Sequence, residues 1–222
     1  MLQTLLWRCP ICKTQDVLTH LEHRFKHDQI DCSACQSRWE LIRVFGGSDF
    51  RLRLISGNGI TQERPLAEWY DQMMEGMKLE PIEHPSWPLL DISHPNERLY
   101  LYSPTIMGLA SPDDPIFQHE NASPPPDAPG VMGLRPLGPG QLFFTSHRLI
   151  YILTNKLTLS KPWKDLRSAD TLMDRFFSLG FENRVYFFSL KGQSVLKWLA
   201  HTRLIVKQTK NDSKRRIYLG YV

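Results

Sequence analysis

Cysteine is scarce in this chain: there are four in 222 residues, the last at Cys35. That scarcity excludes the dense disulfide framework that staples small secreted domains. Long apolar runs are also missing. No stretch approaches the roughly 20 residues that a helix needs to cross a bilayer. Met1 to Leu6 gives way to Trp7-Arg8 before the apolar region of a secretory signal can form. Catalytic signatures are lacking as well. The chain holds no Gly-x-Ser-x-Gly, no phosphate-binding Gly-Lys-Thr/Ser loop and no His-Glu-x-x-His. Gly57-Asn58-Gly59 lacks the third glycine and the helix start of a dinucleotide site, and His84 and His94 each precede a proline without an evident partner. The expectation is a cytoplasmic protein, peripheral to a membrane at most, that is not an enzyme.

Charge of one sign is missing from two long stretches. The net charge of +4 is too mild to announce a nucleic-acid binder. From Leu79 to Gly130, however, Arg98 is the single base among eight acids, and from Lys191 to Val222 Asp212 is the single acid among eight bases. An acidic middle and a basic end suggest a polar contact surface or a tail. With 41% hydrophobic residues the chain can build a packed core.

What is present starts with the cysteines themselves, as Cys9-Pro10-Ile11-Cys12 and Cys32-Ser33-Ala34-Cys35. Two Cys-x-x-Cys turns at the ends of a hairpin can aim four sulfurs at one point, the spacing of a four-cysteine metal site. Val17 to His20 and Arg24 to Ile30 read as antiparallel strands with a turn near Leu21 to His23, and Arg38 to Val44 reads as another. The arrangement from Leu5 to Val44 resembles a zinc ribbon. Four thiolates around one Zn2+ leave no position for water, so Cys9, Cys12, Cys32 and Cys35 are expected to hold one structural zinc. His20, His23 and His27 are expected to be surface residues of the hairpin. Between Met1 and Ile55 eight Lys/Arg face six acids, which lacks the basic stripe of a phosphate binder; Trp7, Phe25 and Trp39 are the residues that would stack on bases if nucleic acid were the ligand.

Phe50 to Ile55 alternates and is expected to be the last strand of a first domain over residues 1–55. Residues 56–78 read as a turn and a connecting amphipathic helix. It starts near Pro65 and ends before Gly76, with Leu66, Trp69, Tyr70, Met73, Met74 and Met77 on one face. That stripe is expected to pack on a domain or in a homo-oligomer. Residues 79–222 form the second domain. Pro81, Pro85, Pro88 and Pro95 mark an extended start, and residues 111–130, with Pro124-Pro125-Pro126, read as a long mobile loop. Strands follow over Gln141 to Thr145, Arg148 to Leu153, Leu157 to Leu159, Trp163 to about Met173, Arg175 to Leu179 and Arg184 to Leu190. Then Val195, Leu199, Thr202 and Val206 fit one face of a terminal helix. The fold class is mainly β (α+β), the second domain being a bent sheet or barrel capped by the C-terminal helix.

Gly140 to Tyr151, with the run Gly-Gln-Leu-Phe-Phe-Thr-Ser-His-Arg-Leu-Ile-Tyr, resembles the signature hairpin of GRAM domains, of the pleckstrin-homology-like fold. Pro162 to Leu166 is similar to a later strand of that family, and the resemblance covers roughly residues 95–208. It implies a binding module for membrane lipids or protein partners, without catalysis. The early loop departs from the lipid-binding pattern, since it carries Asp113, Asp114, Glu120 and Asp127 and no base. Arg148 is expected to brace the hairpin. Lys156, Lys161 and Lys164, with Lys207, Lys210, Lys214, Arg215 and Arg216 near the chain's end, are the candidate contacts to an anionic lipid headgroup. Ile217 to Val222 is apolar enough to dock as an added strand. The expected function is that of a zinc-binding adaptor or membrane-targeting module; a nucleic-acid-associated ribbon protein and a protein–protein adaptor that binds no lipid are the alternatives.

Overall fold

Short runs rich in β-branched and aromatic residues, separated by turn residues, dominate the chain, and the computed structural model is accordingly mainly β. It describes residues 5–23, 27–43, 50–56, 62–83, 96–110, 135–153, 158–172, 176–182, 184–190, 192–209 and 218–219. The chain divides into two compact units, Met1–Lys78 and Leu79–Val222. The loop expected over 111–130 lies outside the described residues.

In the first unit β1 (Leu18–Leu21), β2 (Gln29–Cys32), β3 (Arg38–Arg43), β4 (Phe50–Ser56) and β5 (Gln62–Pro65) form an antiparallel sheet in chain order. One face carries Ile30, Trp39, Leu41, Leu52 and Leu54, all buried. The other carries charge: Arg38 pairs with Asp31, and Arg51 and Arg53 share Glu63. Helix α1 (Leu66–Met74) covers the apolar face. Trp69 is fully buried, donates its indole N–H to the Leu52 carbonyl at 2.9 Å, and meets Trp39 edge-to-face at 6.0 Å. One feature differs from the sequence reading: a fifth strand, β5, follows β4. As expected, the helix packs on a domain, against β4 and β5. Met77, read as part of its apolar face, lies beyond its end, and the helix stops, as expected, before Gly76, which is left-handed at φ 67°. Such a residue ends a helix by turning its carbonyls out of the helical path.

The second unit holds one eight-stranded sheet. Its strands are β6 (Leu99–Ala110), β7 (Arg135–Thr145), β8 (Arg148–Leu153), β9 (Thr158–Pro162), β10 (Leu166–Leu172), β11 (Phe176–Phe181), β12 (Arg184–Ser189) and β13 (Tyr218–Leu219). The order is β13-β10-β11-β12-β6-β7-β8-β9, so two antiparallel meanders meet where β12 pairs with β6. The apolar C-terminal segment does add a strand: β13 runs parallel to β10 through Ser168 and Ala169. Trp163 to Asp165, expected as strand, is a 3-10 turn instead. It carries Trp163 into the core, where the indole donates to the Thr145 carbonyl at 2.8 Å.

The sheet is strongly bent. In its strand order β7 and β11 stand three intervals apart, about 14 Å in a flat sheet at about 4.8 Å per interval. Yet Phe144 on β7 and Phe177 on β11 have ring centroids 5.8 Å apart. Tyr151 on β8 and Phe188 on β12, also three intervals apart, stand at 6.0 Å. Both inner surfaces therefore share one core. Helix α2 (Val195–Thr209), whose third turn-forming N–H is taken by the Ser194 hydroxyl at 3.2 Å, closes it. Its Trp198 lies 4.6 Å from Phe144 and 6.4 Å from Phe177.

Around β6 to β8 the sheet is apolar on both faces. Leu142, Phe144, Leu149 and Tyr151 join the main core, whereas Phe143 and Ile150, which alternate with them, form a second buried cluster with Leu99. Unbroken apolar runs such as Leu142-Phe143-Phe144 are what a strand covered on both faces requires. Arg148 braces this hairpin, as the sequence suggests. It grips Glu97 through two bonds, Nε to Oε1 at 3.0 Å and Nη2 to Oε2 at 2.9 Å, and reaches Ser160 at 3.2 Å. The Glu97 side chain is fully buried.

Replacing Trp198 with Ala should lower unfolding free energy by about 3–5 kcal/mol, the usual cost of an aromatic-sized cavity, whereas Ile106→Ala, at a residue 53% exposed, should change it by under about 0.5 kcal/mol. Denaturant titration distinguishes them. By the same measurement Arg148→Met should cost about 3 kcal/mol, because it strands a buried carboxylate.

Candidate metal centre

Both cysteine pairs sit on the same local turn. In the first, Lys13 donates its N–H to the Cys9 carbonyl at 2.9 Å, and the Cys12 N–H points at Cys9 Sγ at 3.5 Å. In the second, Gln36 donates to the Cys32 carbonyl at 3.0 Å, and the Cys35 N–H points at Cys32 Sγ at 3.5 Å. The residue after each pair is left-handed, Lys13 and Gln36 both at φ 62°. The correspondence extends outward. The Cys9 N–H bonds the Thr14 carbonyl at 2.9 Å and the Cys32 N–H bonds the Ser37 carbonyl at 2.8 Å. Thr14 Oγ1 stands 3.4 Å from Cys12 Sγ and Ser37 Oγ 3.2 Å from Cys35 Sγ. A hydroxyl two residues beyond each pair was legible as a repeat, Cys-Pro-Ile-Cys-Lys-Thr against Cys-Ser-Ala-Cys-Gln-Ser, and its role beside the sulfur is what the structure adds.

The two turns face each other, and all four sulfurs lie within 4.8 Å of one another. Cys9 Sγ is 3.7 Å from Cys35 Sγ, and Cys12 Sγ is 3.8 Å from Cys32 Sγ. A tetrahedral ion with metal–sulfur bonds of about 2.3 Å holds its ligands about 3.8 Å apart, so the donor set fits a metal ion. Tetrahedral four-sulfur sites hold zinc or iron. Cys9 and Cys32 are buried; Cys12 and Cys35 are half-buried. Burial pushes the Cys9 and Cys32 thiols up. Burial acts the same way on Cys35, but the Ser37 hydroxyl and N–H, with the neighbouring thiols, outweigh it and bring this thiol down to about 6.

None of the three histidines of the hairpin belongs to the four-sulfur cluster. His20 is not a surface residue: its side chain is 7% exposed, with Nδ1 3.9 Å from Glu22 and Nε2 3.7 Å from Asp28. Two residues that sequence reasoning passed over flank the first turn. Arg8 donates to the carbonyls of Lys13 at 2.6 Å and Met73 at 3.1 Å, and Lys13 donates to the Gln72 carbonyl and lies 4.0 Å from the Glu75 carboxylate.

Among the candidate anion contacts, Lys161 lies on β9, Lys164 is exposed in the 3-10 turn and Lys207 is exposed in the last turn of α2. Lys161 and Lys164 fall at the β7–β8 turn end of the sheet, since Leu149 pairs with Lys161 and the His147 carbonyl accepts the Trp163 N–H. Lys156, Lys210, Lys214, Arg215 and Arg216 lie outside the described residues. Among the described residues no helix is long and apolar enough to cross a membrane. No protein-family model matches the chain, and no curated protein matches it.

Elemental analysis of the purified protein should give one metal ion per chain, zinc being expected. Cys35→Ser should lose it. Because thiolates bind metal and thiols do not, acidification should release the ion, with a chromophoric chelator reporting the loss.

Proposed function

We propose that this chain is a non-catalytic, zinc-bearing adaptor in two parts, acting in the cytoplasm and at the surface of membranes. The first part is a zinc ribbon enlarged by β5 and α1. The second is a GRAM-type, pleckstrin-homology-like module that grips an anionic lipid headgroup or a protein partner. The observation that carries this reading is the sulfur tetrahedron. Four thiolates at metal-ligand separation supply every position that a structural zinc takes and leave none for a reacting water. The pleckstrin-homology-like assignment is supported by the hairpin that Gly140 to Tyr151 forms, by the bent sheet and by the C-terminal helix that caps it. Of the candidate headgroup contacts, Lys161, Lys164 and Lys207 lie among the described residues.

A partner protein is the second reading, and the outer surface of the sheet favours it. Tyr102 and Ile106 on β6 and Leu137 on β7 are 41%, 53% and 37% exposed. They lie on adjacent strands, Ile106 opposite Pro139. Nucleic acid is less well served. The ribbon's face arginines, Arg38, Arg51 and Arg53, are already engaged by Asp31 and Glu63, which diminishes their use to phosphates.

Vesicle sedimentation separates these readings. The protein should sediment with vesicles carrying phosphatidylserine or a phosphoinositide and not with neutral ones, and added salt should weaken the association. Lys161→Glu with Lys164→Glu should reduce it. Failure to sediment with any composition removes the membrane half and leaves the protein adaptor. A salt-steep gel shift with RNA or DNA would instead support the nucleic-acid reading.

A further inference from the structure

We propose that Arg8 and Lys13 couple the four-cysteine site to helix α1, so that metal loading fixes the C-terminal end of that helix and the helix end in turn tightens the metal site. This rests on the reading of the four cysteines as a metal centre. The geometry is local to the first unit. Arg8 immediately precedes Cys9 and Lys13 immediately follows Cys12, so both are set by the turn that a metal ion would hold closed. Their side chains converge on the last turn of α1. Arg8 Nη1 donates to the carbonyl of Met73 at 3.1 Å and stands 3.4 Å from that of Glu75; Lys13 Nζ donates to the carbonyl of Gln72 and pairs with the Glu75 side chain at 4.0 Å. Arg8 Nε also donates to the Lys13 carbonyl at 2.6 Å, which ties the two clamping residues to each other across the turn.

The chemistry favours this pairing at both ends. The last carbonyls of a helix lack intrahelical donors and carry the negative end of its dipole, so two cations satisfy them. The helix has no basic residue of its own in its last turn. Four thiolates around a divalent ion leave a net negative site, which the same two cations offset. Neither side chain touches a sulfur in the structure, so both are positioning residues. Reciprocity follows from linkage: if the bound metal stabilises the clamp, the clamp must raise metal affinity by the same factor.

The test uses the full-length chain and the variants Arg8→Gln and Lys13→Asn, singly and together. Asparagine tolerates the left-handed backbone at position 13 while removing the cation. Two quantities are read: zinc affinity by competition with a chelator, and hydrogen exchange at the amides of Glu75 and Met77, which bond Asp71 and Met74. The double variant should bind zinc about tenfold more weakly, the scale of lost outer-shell support, and should exchange those two amides faster while zinc-bound. The strand amides of β3 and β4 should stay protected, and chelating zinc from the wild type should speed the same two amides. Zinc affinity within twofold of wild type overturns the coupling, as does unchanged exchange at Glu75 and Met77. If the double variant does not fold, Lys13→Asn alone carries both measurements under the same criteria. A wild type that binds no metal ion at all overturns the metal reading itself, an outcome distinct from either.

Discussion

Four sulfurs that would repel one another as thiolates can share one point only around a cation, and the first unit is arranged on that condition. Each cysteine pair rides on a turn whose next residue, Lys13 or Gln36, is left-handed without being glycine. Such residues cost on the order of 1–3 kcal/mol each and persist only where the surroundings over-determine them. A structural zinc contributes on the order of 10–16 kcal/mol of apparent binding energy in small domains, which exceeds both turns together. A metal ion held by the four sulfurs would therefore outweigh the cost of both turns. The buried face of Trp39, Leu52 and Trp69 adds ordinary apolar burial, so this unit would not rest on a metal ion alone.

The second unit meets a different constraint. Its sheet must bend until strands three places apart share a core, and the prolines and glycines of β6 and β7 mark where the pairing permits it. Pro104 lies in a part of β6 that β12 does not reach, because that pairing runs from Ile106 to Ala110. Pro136 and Pro139 lie in β7 beyond Gly140, where pairing with β8 stops. Each therefore sits where its strand has one described neighbour, so the missing N–H leaves no ladder bond unmade on the other side. Glycine at 140 has a separate reason. A Cβ there would stand 2.2 Å from the Ile152 carbonyl oxygen and 2.8 Å from the Tyr151 ring. That close passage lets the Tyr151 hydroxyl donate to the carbonyls of Gly138 and Thr105, joining β8 to β7 and β6 through the core.

These same residues explain what was legible in the sequence and what was not. The cysteine spacing reads directly because metal chemistry demands four ligands at one point and allows few spacings. The hairpin of β7 and β8 and the helix α2 read well because their apolar periods are long and their turn and cap residues lie beside them. The sequence places the start of β7 too late, at Gln141, because Pro136, Gly138, Pro139 and Gly140 are strand breakers by propensity, and only the single-sided pairing makes them acceptable. β5 leaves no sequence signal because Gln62-Glu63-Arg64-Pro65 has no apolar alternation; it is an edge strand stabilised by the Glu63 pairs with Arg51 and Arg53 and by Arg64 over the Trp69 ring at 5.3 Å. Glu97 gave no signal either. A lone acid in an extended segment reads as solvated, and its burial follows from an arginine 51 positions away. Arg8 and Lys13 look like ordinary charges beside a metal motif for a similar reason: their hydrogen-bond partners are backbone carbonyls, and the Glu75 carboxylate near Lys13 is 62 positions away.

Magnitudes separate the two kinds of partner considered for the second unit. A basic residue near an anionic membrane contributes about 1 kcal/mol. Lys161, Lys164 and Lys207 together therefore offer about 3 kcal/mol, weaker than a millimolar dissociation constant, which corresponds to about 4 kcal/mol. Adding Lys156, Lys210, Lys214, Arg215 and Arg216 raises the sum to about 8 kcal/mol, the micromolar scale, if all eight reach the surface together. These three lysines alone thus fall short of stable attachment, and further bases, the run near the C-terminus among them, would have to supply the rest. Burying the exposed parts of Tyr102, Ile106 and Leu137 draws on a term that salt does not screen and that needs no second segment. The ionic strength at which the protein leaves its partner is consequently the property in which the two readings differ most.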